Sequence, residues 1–251
     1  MPMTITTVLF DMDSTLNEID EIAFSRKYFK TLHDVYFNYL DAQFFYETLT
    51  EITRTVMLSK LPKELCIRTF MKEMSKYFKR TPKKLYETFK AFYSNEYNEL
   101  ESFIKPAKFS REAVKACFDN NMDVIVATTP IFTETAIIKR LYWSGVADFN
   151  FKLITHAENM HFSKPREEYY WEILKKIKRT PVECIMVGNE FMGDIVGPSK
   201  IGISTFYCPH DVAVDDLFVS PELKRFSKYK PNFVGSLEDF IKLLENGFNQ
   251  K

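Results

Sequence analysis

Two aspartates stand two residues apart in Asp11-Met12-Asp13-Ser14-Thr15, directly after the apolar run Val8-Leu9-Phe10. At the end of a strand this spacing turns both carboxylates towards one pocket, where such a pair suits nucleophilic and acid–base work. A bare pair recurs by chance, so its weight depends on what else the chain brings to it. Thr128-Thr129-Pro130 follows a second apolar run and offers a hydroxyl and backbone N–H groups to phosphate oxygens at the start of a helix. Lys164, in His161-Phe162-Ser163-Lys164-Pro165, is a cation whose backbone is restricted by the following proline at a helix entrance. A further run ends in Gly188-Asn189-Glu190-Phe191-Met192-Gly193-Asp194, whose oxygen side chains suit a hard cation such as magnesium. Four of the chain's seven glycines fall between 188 and 202, which predicts backbone that turns tightly or is closely approached.

Each of these groups needs an element to position it. Short β-branched or apolar runs at residues 4–10, 122–127, 151–155, 184–187 and 204–207 read as strands. Helical spacing fills residues 110–120, 133–143, 167–177 and 194–201 between them. This alternation predicts an α/β fold with a doubly wound parallel sheet, in which ligands bind beyond the carboxyl ends of the strands. The candidate groups all follow predicted strands.

Residues 17–104 read differently. No glycine precedes Gly145 and no proline lies between Pro2 and Pro62, so structure breakers are scarce there. Apolar residues recur at three- and four-residue steps, as in Phe29, Leu32, Tyr36, Tyr39, then Ile67, Met71, Met74, Phe78, then Leu85, Phe89, Phe92. Thr81-Pro82 reads as an N-cap with proline in the first turn of the last helix of this set. The expected organisation is a core of residues 1–16 and 105–251 carrying an inserted α-helical module at 17–104. The tail from residue 211, with Pro221, Pro231 and a helix at 237–244, is expected to pack on the core.

Composition bounds the partners. Lys plus Arg and Asp plus Glu each number 34, so no basic balance favours nucleic acid or anionic lipid. The four cysteines are far apart and form no CxxC pair, which argues against disulfides and a zinc site and for buried thiols. His33, His156, His161 and His210 show no metal-ligand spacing. With no secretory-type leader and no run long enough to span a bilayer, the expectation is a cytoplasmic protein without membrane or nucleic-acid partners.

Taken together and in this order, the four elements resemble the four motifs of the haloacid dehalogenase superfamily. Asp11 and Asp13 with Thr15-Leu16 resemble the first motif, Thr128 the second, Lys164 the third, and Asn189 with Asp194 the fourth. The helical insert lies where one subclass of that family carries its cap. The resemblance implies a magnesium-dependent phosphatase acting on a small phosphorylated metabolite; either a monomer or a homodimer is expected. In it Asp11 attacks phosphorus, Asp13 serves the leaving oxygen and then water, and Thr128, Thr129 and Lys164 bind the phosphoryl group. Magnesium is expected on Asp11, Asp13, Asn189, Glu190 and Asp194, with the Asp13 contact made by its backbone carbonyl. Ser14 stands where the family usually has glycine. Asn189 stands where it has an acidic residue, and an amide oxygen is a weaker ligand for magnesium than a carboxylate; Glu190 supplies charge beside it. A metal-independent dehalogenase, a phosphomutase and a catalytically silent binding protein are the competing readings. Asp13 opposes the dehalogenase, since dehalogenases of this family typically lack that second carboxylate. Product analysis and phosphatase activity separate the other two.

Overall fold

A computed structural model of the protein describes residues 5–60, 63–209 and 225–248. The predicted strand start at Thr4, the break at Pro62, His210 and the tail around Pro221 lie outside these residues. The central sheet has six parallel strands in the order β5-β4-β1-β6-β7-β8. They are β1 (Thr7–Phe10), β4 (Asp123–Val126), β5 (Leu153–Ile154), β6 (Cys184–Gly188), β7 (Ser204–Tyr207) and β8 (Phe233–Val234). β1 is buried along its whole length, as expected of a parallel strand covered on both faces. The period of two sorts its side chains. Val8 and Phe10 join Val124, Val126, Ile185 and Val187 in one core, while Leu9 joins Ile125, Cys184 and Met186 in another. Helices α5 (Ser110–Asp119), α6 (Glu134–Trp143) and α9 (Leu237–Glu245) cover the first face, and α7 (Glu167–Ile177) the second.

The register explains where chemistry can gather. Phe10 is level with Val126 on one side and Val187 on the other. The ladder continues one step further, with Asp11 N–H donating to the Val187 carbonyl at 2.9 Å and Ala127 N–H to the Phe10 carbonyl at 2.7 Å. Asp11, Thr128 and Asn189 therefore emerge from neighbouring strands at nearly one level.

The insert is helical through α1 (Glu21–Leu32), α2 (Ala42–Leu58), α3 (Cys66–Tyr77) and α4 (Pro82–Ser94), followed by a 3-10 segment at Glu96–Phe103. Thr81 caps α4, its hydroxyl accepting from Lys84 N–H at 3.3 Å, with Pro82 in the first turn. Two features depart from the sequence expectation. A two-stranded antiparallel ribbon, β2 (Asn17–Ile19) with β3 (Ile104–Pro106), forms the base of the insert; three residues are too few to show alternation. A π turn at His33–Phe37 adds one residue to the helical step. The buried series thus runs from Leu32 to Phe37, Tyr36 is only partly buried, and Tyr39 is half exposed beneath the Arg80 guanidinium.

Elsewhere, the helix expected at 194–201 is instead a π turn at Phe191–Val196 leading into the short α8 (Gly197–Ser199). The edge strand at 151–155 is reduced to β5, although Thr155 N–H still donates to the Val126 carbonyl. β8, a two-residue edge strand, left no pattern to read. All four cysteines are free and buried. No helix among the described residues is long and apolar enough to cross a membrane.

Candidate active site

Lys164 reaches the end of the sheet from the loop between β5 and α7 and is almost wholly buried. Its ammonium donates to Asp11 Oδ1 at 2.7 Å and to Asp194 Oδ1 at 2.6 Å. The second oxygen of Asp194 accepts from Glu190 N–H at 2.9 Å. Asp194, expected among the magnesium ligands, is fully buried and is not among the residues lining the cavity; its carboxylate pairs with Lys164 and with Glu190 N–H. Glycine makes this approach possible: a Cβ on Gly188 would lie 2.2 Å from the Asp194 carboxylate. Likewise a Cβ on Gly193 would fall 2.1 Å from the Glu190 carboxylate, which folds back over that residue.

Electrostatics follow from burial and pairing. Burial pushes Asp11 above the usual aspartate range, the Lys164 charge pulls against it, and Asp194 adds to the upward push. Burial likewise raises Asp194 and Glu190, with Lys164 opposing. For Lys164 itself burial acts downwards, but the Asp11 and Asp194 carboxylates outweigh it and hold the ammonium well above the ordinary lysine range.

Asp13 lies across the cavity and is held from two sides. Arg140 Nη1 is 2.9 Å from its Oδ2, and Asn17 Nδ2 donates to its Oδ1 at 3.2 Å. Sequence reasoning missed both partners. Arg140 carried a signal: on α6 it shares the buried face with Ala136, Ile137 and Leu141, and an arginine at a core position needs a partner. Its guanidinium lies between the rings of Phe24 and Phe132, 4.7 Å from each centroid.

These groups open onto one cavity of about 190 Å³, which Asp11, Asp13, Thr128, Thr129, Lys164, Asn189 and Glu190 all line. The Thr128 carbonyl is anchored by the hydroxyls of Tyr169 and Thr155, each at 2.8 Å. Asn189 Oδ1 accepts from Thr15 Oγ1 at 3.2 Å. Glu21, from the first turn of α1, also lines the cavity and was not anticipated. Its walls thus carry the carboxylates of Asp11, Asp13, Glu21 and Glu190 against the cations Arg140 and Lys164. Among the described residues no three His, Cys, Asp or Glu side chains cluster closely enough to hold an ion by themselves. The donor set nevertheless fits magnesium, which keeps several waters and needs few protein ligands. Asp11, Asp13 and the Asn189–Glu190 pair offer hard oxygens at this cavity.

Ser14 has φ of 57°, in the left-handed region, where a side chain costs about 1–2 kcal/mol and glycine sits without strain. Ser14→Gly is expected to stabilise the fold by about 0.5–1 kcal/mol after glycine's larger unfolded-state entropy is counted. A rise in the urea midpoint at unchanged slope would show it.

A family model for haloacid dehalogenase-like hydrolases matches residues 8–208. Pyrophosphatase PpaX of Halalkalibacterium halodurans is 24% identical over 215 residues, which cover 85% of this chain and 88% of that protein. Among solved structures, a HAD phosphatase from Thermococcus onnurineus superposes with a TM-score of 0.60 at 13% identity, covering 96% of this chain and 98% of that one. The HAD-hydrolase YfnB from Bacillus subtilis, bound to magnesium, superposes with a TM-score of 0.58 at 19% identity, covering 96% and 99%.

Proposed function

The chain belongs to the haloacid dehalogenase-like hydrolase family, and from that premise we propose that it hydrolyses small phosphate monoesters through an aspartyl-phosphate on Asp11, with magnesium as cofactor. The observation that carries this reading is the ammonium of Lys164, held between Asp11 and Asp194 beside a cavity that also presents Thr128 and Asp13. A nucleophile, a fixed cation and a second carboxylate thus share one space. The phosphatase and the magnesium-bound hydrolase among the similar folds, and the pyrophosphatase among similar sequences, support the same reading.

In the first step an Asp11 oxygen attacks phosphorus, the bond to the leaving oxygen breaks, and Asp13 delivers a proton to that oxygen. In the second step Asp13 takes a proton from water as the water attacks phosphorus, releasing phosphate and the Asp11 carboxylate. Lys164 offsets charge on the transferring group, and Thr128 binds one of its oxygens. When bound, magnesium would be held by Asp11, the Asp13 carbonyl and the Asn189–Glu190 pair, and would neutralise charge between the anionic nucleophile and the anionic phosphoryl group. Acid–base help contributes about 10²–10⁴-fold, whereas enhancements for phosphate monoesters approach ~10²¹. Position and charge must therefore supply most of the rate. The helical insert acts as a lid: Glu21 lines the cavity and Phe24 covers Arg140, so α1 shields the site from water.

The test is phosphate release from an aryl phosphate by chelator-treated protein, with and without added magnesium. Turnover is expected only with the ion, rising at least about 10²-fold on its addition. Equal activity in the chelator would remove the cofactor from the scheme, and absence of phosphate release in both conditions would remove the reaction.

A further inference from the structure

Resting on the phosphatase reading, we propose that the alcohol half of the substrate carries an apolar, ring-sized group that occupies a second cavity beside the catalytic one. This cavity encloses about 220 Å³ where the insert meets the core. Phe24, Tyr28 and Phe29 reach it from α1, Leu49 from α2 and Phe70 from α3. Its floor is Ile131 and Phe132, in the loop that begins at Thr128, and these two residues line the catalytic cavity as well.

The junction lies at the group assigned to the leaving oxygen. Asp13 pairs with Arg140, whose guanidinium is stacked between Phe24 and Phe132. Both of those rings line the second cavity. The substituent on a leaving oxygen placed at Asp13 therefore meets this aromatic wall first. The two volumes together fall within the range of about 300–1,000 Å³ usual for small-molecule sites.

The walls select the chemistry. Among the described residues no charged side chain lines this cavity. The hydroxyl of Thr53 donates to the Leu49 carbonyl of its own helix at 2.9 Å, and that of Tyr28 shares a hydrogen bond with Tyr93 at 2.9 Å. Ser25, at the exposed rim, carries the remaining hydroxyl, so a sugar or polyol would leave most of its hydroxyls without partners deeper in the cavity. An aryl ring meets the edges and faces of Phe24, Tyr28 and Phe70 in the arrangements aromatic pairs prefer. Apolar cavities of about 150 Å³ already accept benzene, and this one, open to the surface at Ser25, is larger.

The experiment compares 2-phenylethyl phosphate with ethyl phosphate in the presence of magnesium. Both release primary alcohols of similar acidity, so the ratio of kcat/KM values reads binding of the substituent rather than ease of departure. A preference of about 100-fold for the phenylethyl ester is expected. Ser25 is exposed and stands at the cavity wall, so Ser25→Trp puts an indole into the space from the surface, and the preference is expected to fall below about 5-fold. Equal kcat/KM for the two esters in the unmodified protein overturns the pocket and leaves the phosphatase standing. A preference undiminished in Ser25→Trp overturns the assignment to this cavity. If neither ester is turned over the phosphatase reading fails, and calorimetry with the non-hydrolysable 2-phenylethylphosphonate and ethylphosphonate decides the pocket alone. Selective binding of the former, lost in Ser25→Trp, sustains it; equal binding, or none, overturns it.

Discussion

Asp11→Asn is expected to reduce kcat for an aryl phosphate by on the order of 10⁴–10⁶, the range seen when a catalytic nucleophile is removed, while leaving the protein folded. The amide retains the shape of the carboxylate and an acceptor for Lys164, but it is neutral and a poor nucleophile. Charge arithmetic explains why stability should survive. In the unmodified protein one ammonium faces two carboxylates, and the substitution leaves a neutral pair of Lys164 with Asp194. Single-turnover release of the phenol, together with a thermal melt, separates the two effects. Full activity in this variant would dismiss Asp11 as nucleophile. A collapse of the melting temperature with the loss of activity would show that Asp11 serves structure first.

Replacing the other partner has the opposite balance. Lys164→Met leaves Asp11 and Asp194 buried beside each other with no cation between them, and removing one member of a buried ion pair costs about 3–5 kcal/mol. The unfolding midpoint in urea, measured in a chelator so that no added ion takes the lysine's place, should fall accordingly. Adding Asp194→Asn to Lys164→Met should restore most of that stability by removing the charge conflict. It should not restore turnover, because loss of a fixed charge at the transferring group costs about 10²–10³ in kcat. If Lys164→Met unfolds like the unmodified protein, the bridge contributes nothing net. If the double variant regains full activity, Lys164 is a structural residue.

Asp11, Thr128 and Asn189 could be read in the chain because each follows an apolar run, and such runs are local signals, while Lys164 was marked by the proline after it at a helix entrance. A buried parallel strand needs continuous apolar sequence, and the residue after it must leave the sheet. The doubly wound sheet was legible for the same reason, through the alternation of strand-like runs with helical spacing. The elements that escaped notice were those with little local pattern: the ribbon of β2 and β3, the edge strand β8, and the π turns at His33–Phe37 and Phe191–Val196. A π turn changes the helical step by one residue, so a reading at period 3.6 buried Tyr36 in place of Phe37.

Residue type and position in the chain were enough to indicate candidate groups for phosphoryl transfer and that strand ends present them. Pairing, charge balance and enclosed space were decided only in three dimensions. Lys164 belongs as much to Asp194 as to Asp11; Asp13 is held by Arg140 and Asn17; and the apolar cavity beside the site forms where helices of the insert meet the loop after Thr128. The physical reason is range. Hydrophobic periodicity is written within a dozen residues, whereas an ion pair or a cavity depends on which distant segments the packed core brings within a few ångströms, and that is a property of the whole fold.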